Sequence, residues 1–209
     1  RGLTDLHFES MPDELSRLPE VDVVFFALPH GQALNLIPSL PDGVKAVDLS
    51  GDFRIDDAEV FEHFYKQQHA GELQKGFVYG LTETNREAIS SANNVANPGC
   101  FATATLLALA PMVRSGLLTG RIIVDAKTGS SGSGVKPAAN THHPQRMNSF
   151  YAYKPFAHQH VPEIEQHLAA LSGSPQSITF MTHSLPVSRG IFASCYLETT
   201  VNLTNEDVQ

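Results

Sequence analysis

The run Val21-Asp22-Val23-Val24-Phe25-Phe26-Ala27-Leu28 constrains the fold most. A stretch this short, apolar and β-branched suits a strand buried on both faces, as in a parallel sheet covered by helices. Pro29-His30-Gly31 ends it, Gln32 to Leu40 has helical spacing, and Pro41-Asp42-Gly43 turns the chain into a second strand at Val44 to Leu49. This strand–turn–helix–strand order is half of a doubly wound α/β layout. Nothing before Val21 has the Gly-rich turn that opens such a domain, so the chain is expected to begin inside one.

Later segments read as a polar, loosely helical stretch at Asp56 to Gln74, a strand at Phe77 to Leu81 and a short helix at Glu83 to Ser90. A brief strand at Asn94 to Asn97 follows, then a long apolar helix from Phe101 to Val113. From Arg121 the character changes. Ile122 to Ala126 is a strand, Thr128 to Gly134 a Gly/Ser loop, His142 to Lys154 polar and irregular, and Pro162 to Leu171 a helix. Ser177 to Met181 and Ile191 to Val201 alternate like antiparallel strands. The expected fold class is α/β: a truncated Rossmann-type parallel sheet over residues 1–99, lacking its Gly-rich first turn, then a mixed α+β domain over 100–209.

The chain has 209 residues, enough for a sizeable core, and no apolar run near the ~18–20 residues that span a bilayer. Arg1 to Asp5 lacks the basic start and apolar stretch of a signal peptide. A formal charge of -8 argues against nucleic acid as a partner, because phosphate backbones require clustered Lys and Arg. It leaves room for an anionic small molecule. Two cysteines make no disulfide framework, which points to a reducing cytoplasm.

Cys100 is the sharpest chemical feature. Pro98-Gly99 turns the chain, and Cys100 falls at the first turn of the apolar helix, where unpaired N–H groups and the helix dipole favour a thiolate. Such a thiolate can attack an activated acyl group and hold it as a thioester. The other reading is a buried structural cysteine, which is the reading for Cys195. His158 and His160 project to one side if the backbone is extended. They fit acid/base or substrate-binding work, a structural role, or a metal site completed by Glu163 or His142/His143. The Gly129 to Gly134 loop could cradle a phosphate or act as a flexible linker. Arg54, just past a parallel strand, could pair with a carboxylate or phosphate, or with Asp52 or Asp56; Arg189 invites the same two readings.

Taken in order, these segments resemble the N-acetyl-gamma-glutamyl-phosphate reductase family of the semialdehyde dehydrogenase superfamily. The matches are Phe25 to Gly31, Asp48 to Arg54, Val78 to Glu83, Asn97 to Cys100, Thr128 to Gly134, His158 to Glu163 and Pro186 to Gly190. The resemblance implies an NADPH-dependent oxidoreductase of arginine biosynthesis, and a homo-oligomer assembled through a catalytic/dimerisation domain at 100–209. Its substrate would be N-acetyl-glutamyl phosphate, its products the semialdehyde and phosphate, and no metal would be needed. It implies Cys100 as nucleophile and the His158/His160 pair as acid/base, His160 acting as imidazolium. Asn97, Arg54, Glu163 and Arg189 would contact substrate, and Ala27, Leu28, Pro29, His30, Ser131 and Gly132 the NADP. Gly134-Val135 departs from the Gly-Arg that usually ends the family's loop, and the family's Asn-rich C-terminal segment is missing. A fragment is therefore expected. The competing readings are another Cys-dependent semialdehyde dehydrogenase, a Cys/His hydrolase and a noncatalytic ligand-binding fragment.

Overall fold

A computed structural model describes residues 20–134 and 136–208, together with His7, Ser10, Leu15 and Leu18. The readings made on Arg1 to Asp5 and on Val135 lie outside the described residues.

Four short strands, β1 (Val23–Phe26), β2 (Lys45–Asp48), β3 (Phe77–Tyr79) and β4 (Asn94–Ala96), form a wholly parallel sheet in the order β1-β2-β4-β3. The connections carry helices α1 (Ala33–Leu36), α2 (Ala58–Tyr65) and α3 (Thr82–Ser91). Helix α2 starts where the Asp57 carboxylate accepts from the Val60 N–H at 3.0 Å, and stops where Lys66 enters the left-handed region. A core of Phe26, Ala33, Ile37, Ala46, Phe53 and Ala96 holds these elements together. One expectation fails. β1 is not buried on both faces, because among the described residues it is an edge strand paired only with β2, and Phe25 is 66% exposed.

Helix α4 (Cys100–Arg114) leaves the end of β4 and packs on a second sheet. That sheet comprises β5 (Leu118–Thr128), β6 (Tyr151–Tyr153), β7 (Ile178–Ser184) and β8 (Ile191–Thr199), with α5 (His143–Arg146) before β6, α6 (His160–Ser172) before β7 and α7 (Asn205–Val208) after β8. The order is β6-β7-β5-β8. β7 and β8 do run antiparallel, but they flank β5 instead of pairing with each other; β5 is parallel to β7 and antiparallel to β8. Alternate residues of β7 (Ile178, Phe180) and β5 (Ile122, Val124, Ala126) point into a core shared with Phe101, Leu106 and Leu109 of α4 and Ile164 and Leu168 of α6. The architecture is the expected one, a parallel Rossmann-type sheet followed by a mixed α+β unit. No helix among the described residues is long and apolar enough to cross a membrane.

Candidate active site

The C-terminal ends of β2 and β4 point at the N-terminal ends of α4 and α6, and a cavity of about 940 Å³ opens there. Its wall holds Cys100, His158, His160, Arg54, Asn97 and His30. Gly99 precedes Cys100 with extended dihedrals (φ -64°, ψ 151°), so no left-handed turn requires a glycine. Space requires it. A Cβ added there would sit 2.6 Å from Cε1 and 2.7 Å from Cδ2 of His160, and nearer still to Nε2. The imidazole therefore lies directly against the residue before Cys100.

The two histidines are not on an extended strand, since Gln159 between them has helical dihedrals (φ -62°, ψ -14°) and is the N-cap of α6. Their environments separate them. His158 Nδ1 accepts the His160 backbone N–H at 3.1 Å, capping the helix, while its ring packs against Phe101, Tyr153 and Phe180. His160 Nδ1 is buried without a hydrogen-bond partner. Burial pulls both rings down to about 3, aided at His158 by His160 and at His160 by Arg54. Both rest as neutral rings at pH 7, so the imidazolium expected as proton donor would have to form during a reaction. Cys100 is open to the cavity, yet protein surrounds enough of its thiol for burial to push it up. The Phe101 N–H and the Arg54 charge oppose that shift. The resting pair is thus a thiol beside a neutral imidazole, not the standing thiolate that the helix start suggested.

Glu163 lies one helical turn from His160 and is fully buried. Its Oε1 accepts from the Gly99 N–H at 2.8 Å and the Tyr79 hydroxyl at 2.7 Å, and its Oε2 lies 3.8 Å from Arg54 Nη1. It does not line the cavity and meets it only through Gly99 and Arg54. Arg54 is 6% exposed and pairs with neither Asp52 nor Asp56. It donates to the Asn97 carbonyl at 2.7 Å and the Leu49 carbonyl at 2.9 Å. Asp52 instead accepts the Gly31 N–H, and Gly51 N–H donates to His30 Nδ1, fixing the turn after β1.

Other expected contacts divide. His30 and Gly132 reach the cavity; Ala27, Leu28, Pro29, Ser131 and Arg189 are not on its wall. The N–H groups of Gly129, Ser130 and Ser131 are taken by the carbonyls of Gly190, Val187 and Ser188, so this part of the loop cannot cradle a phosphate through them. Exposed His142 and His143 sit at α5. Among the described residues no three His, Cys, Asp or Glu side chains group to hold a metal.

Residues 100–209 match the semialdehyde dehydrogenase dimerisation domain, and residues 1–92 the semialdehyde dehydrogenase NAD binding domain. The chain belongs to the semialdehyde dehydrogenase family. It is 46% identical over 193 residues to an N-acetyl-gamma-glutamyl-phosphate reductase of Bacillus cereus (strain B4264), covering 91% of this chain and 56% of that protein. It is 47% identical over 208 residues to one of Geobacillus sp. (strain WCH70), covering 98% and 58%. The chain thus spans little more than half the length of these relatives. Aspartate semialdehyde dehydrogenase II of Vibrio cholerae shares the fold at a TM-score of 0.65 and 19% identity, over 90% of this chain and 58% of that one. The Francisella tularensis enzyme does so at 0.63 and 10%, over 94% and 63%.

Within this site, sequence reasoning passed over Arg146, Tyr153, Lys154 and Ser184, all on the cavity wall. The available signal was a guanidinium, an aromatic and an ammonium inside a segment otherwise read as polar and irregular.

Proposed function

We propose that the chain performs the chemistry of an NADPH-dependent reduction of N-acetyl-gamma-glutamyl phosphate to N-acetyl-glutamate semialdehyde and phosphate, a step of arginine biosynthesis. The substrate class is carried over from the relatives' name. The observation that carries the reading is Cys100 at the first turn of α4, open to the cavity, with the neutral ring of His160 packed on Gly99 beside it. In this reading His160 Nε2 accepts the Sγ proton and the thiolate attacks the acyl carbon. The C–O bond to phosphate breaks, phosphate leaves with the electron pair, and Cys100 holds the acyl group as a thioester. NADPH, when bound, supplies the hydride that takes the thioester to the aldehyde level. His160, by then an imidazolium, returns its proton to the sulfur as the C–S bond breaks.

The residues at the cavity mouth fit one end of a dinucleotide. His30 and Leu49 stand past the C-terminal ends of β1 and β2, the edge where open α/β sheets take ligands, and a Cβ at Gly132 would meet only Thr128 Oγ1, at 3.6 Å. These residues would hold the nicotinamide end, with residues 1–99 serving the cofactor and 100–209 the chemistry and assembly. Asn97 and the cavity side of Arg54 orient the acyl group, Glu163 acts through Gly99 and Arg54, and the backbone on either side of Arg189 braces the glycine loop. The dimerisation-domain match supports a homo-oligomer, and two free cysteines support a cytoplasmic setting.

Mass spectrometry tests this directly. Incubation with N-acetyl-glutamyl phosphate and no nicotinamide should leave an N-acetyl-glutamyl adduct on Cys100, and Cys100→Ala should abolish it. Absence of the adduct, or release of N-acetyl-glutamate by steady hydrolysis, would overturn the reading.

A further inference from the structure

The chain has a formal charge of -8, yet among the described residues its central cavity has no carboxylate on the wall and three cations, Arg54, Arg146 and Lys154. A cleft of opposite sign to the molecule around it concentrates anions. The three cations differ in how their charge is matched. Arg54 faces buried Glu163 at 3.8 Å. Lys154 is exposed, where water solvates its ammonium, and donates to Gln159 Oε1 at 2.8 Å. Arg146 is 8% exposed and has only neutral acceptors: Nη1 donates to Ser184 Oγ and Nη2 to the Leu185 carbonyl at 2.7 Å. Among the described residues no carboxylate lies within ion-pair distance of it, and its Nε is buried with no acceptor at all. A buried guanidinium with five donors, two of them satisfied and none by a counter-charge, is a site short of an anion.

We infer that Arg146 is the anion-recognition residue of this cavity, receiving a free oxyanion of the substrate, its carboxylate or its phosphate. Arg54 does not fill this role, because Glu163 already offsets its charge and two backbone carbonyls take its Nε and Nη2. The inference deepens the reductase reading, on which the identity of the ligand rests; the anion site itself rests on Arg146. A planar fork matches either oxyanion, so the two sources are separated by probe.

The test reads protection of Cys100 from iodoacetamide, a neutral alkylating agent, by inorganic phosphate and by N-acetyl-glutamate in separate titrations. Arg146→Gln should raise the half-protecting concentration about 10–100-fold for the probe that uses the site, the size expected for lost charge-assisted hydrogen bonds. Arg146→Lys, which keeps the charge and loses the fork, should recover part of the loss. An effect on phosphate alone assigns the leaving group; an effect on N-acetyl-glutamate alone assigns the carboxylate. Equal protection in wild type and Arg146→Gln overturns the inference. Should Arg146→Gln fail to fold, the Arg146 Nε–H resonance of the wild-type protein decides: it must shift on titration with one of the probes, and a fixed resonance under full protection overturns the inference. A missing acyl adduct with intact Arg146-dependent protection would remove the reductase reaction and leave the anion site standing.

Discussion

Gly99→Ala isolates the contact on which the site turns. At φ -64° and ψ 151° alanine is as comfortable as glycine, and the loss of chain freedom in the unfolded state would by itself stabilise the variant by about 0.4–1 kcal/mol. The added methyl, however, would stand 2.6 Å from His160 Cε1, where carbon–carbon contact begins near ~3.5 Å. The ring must therefore retreat by about 1 Å, or the Gly99 backbone must shift and loosen its 2.8 Å hydrogen bond to Glu163. A misplacement of that size costs a reaction on the order of 100-fold when the moved group takes part in it. The expected outcome is a variant that unfolds within about 1 kcal/mol of wild type in urea, while acyl-adduct formation at Cys100 slows by about two orders of magnitude. Stability and reactivity must separate. Adduct formation within about threefold of wild type would refute the argument that His160 acts from against Gly99.

Two further perturbations follow from the buried groups. Glu163→Ala leaves Arg54 without its counter-charge and the Gly99 N–H and Tyr79 hydroxyl without their acceptor, and should cost about 3–5 kcal/mol in chemical denaturation; a loss below about 1 kcal/mol would show that Glu163 does not brace the turn. Acid should destabilise the fold well above the carboxylate range. His158 and His160 are held down to about 3 and His167 to about 4, chiefly by burial, against about 6.5 when unfolded, so below that value the unfolded chain binds more protons. Their contribution is complete above pH 6.5 and is lost as pH falls toward 3–4. Unfolding free energy should drop by about 2–4 kcal/mol from pH 7 to 5.5, and a flat profile would contradict neutral burial.

The sequence told more about which segments matter than about why. The apolar run at β1 correctly announced a parallel sheet, but its interior position was inferred from composition, and strand order depends on partners that composition does not name. Phe25 is apolar and two-thirds exposed. Gly99 was legible as a turn residue; that it makes room for an imidazole 61 positions later is a tertiary fact. The glycine loop looked like a phosphate cradle until its N–H groups proved to be spent on residues 187–190. Arg146 was hidden because a cation in a polar stretch reads as surface, and only burial separates the two.

The spacing His160-Val161-Pro162-Glu163 acquires a mechanical meaning from these contacts. Residues three apart share a helix face, so α6 presents one imidazole to the cavity and one carboxylate to the turn that carries Cys100. Gln166 and His167 extend the same grip. Gln166 donates to the Arg54 carbonyl at 3.1 Å and accepts the Asp56 N–H at 2.9 Å, and His167 stacks on Tyr79 at 3.4 Å. A single helix therefore fixes the turn that carries Cys100, Arg54 behind it and His160 beside it, although these belong to both halves of the chain. The proposed chemistry tolerates little relative motion between thiol and imidazole. Placing both under one helix removes that freedom without requiring either residue to be rigid in its own right. The cavity side facing α5 and β6 lies outside this grip, and there the unmatched charge of Arg146 is left for the ligand to complete.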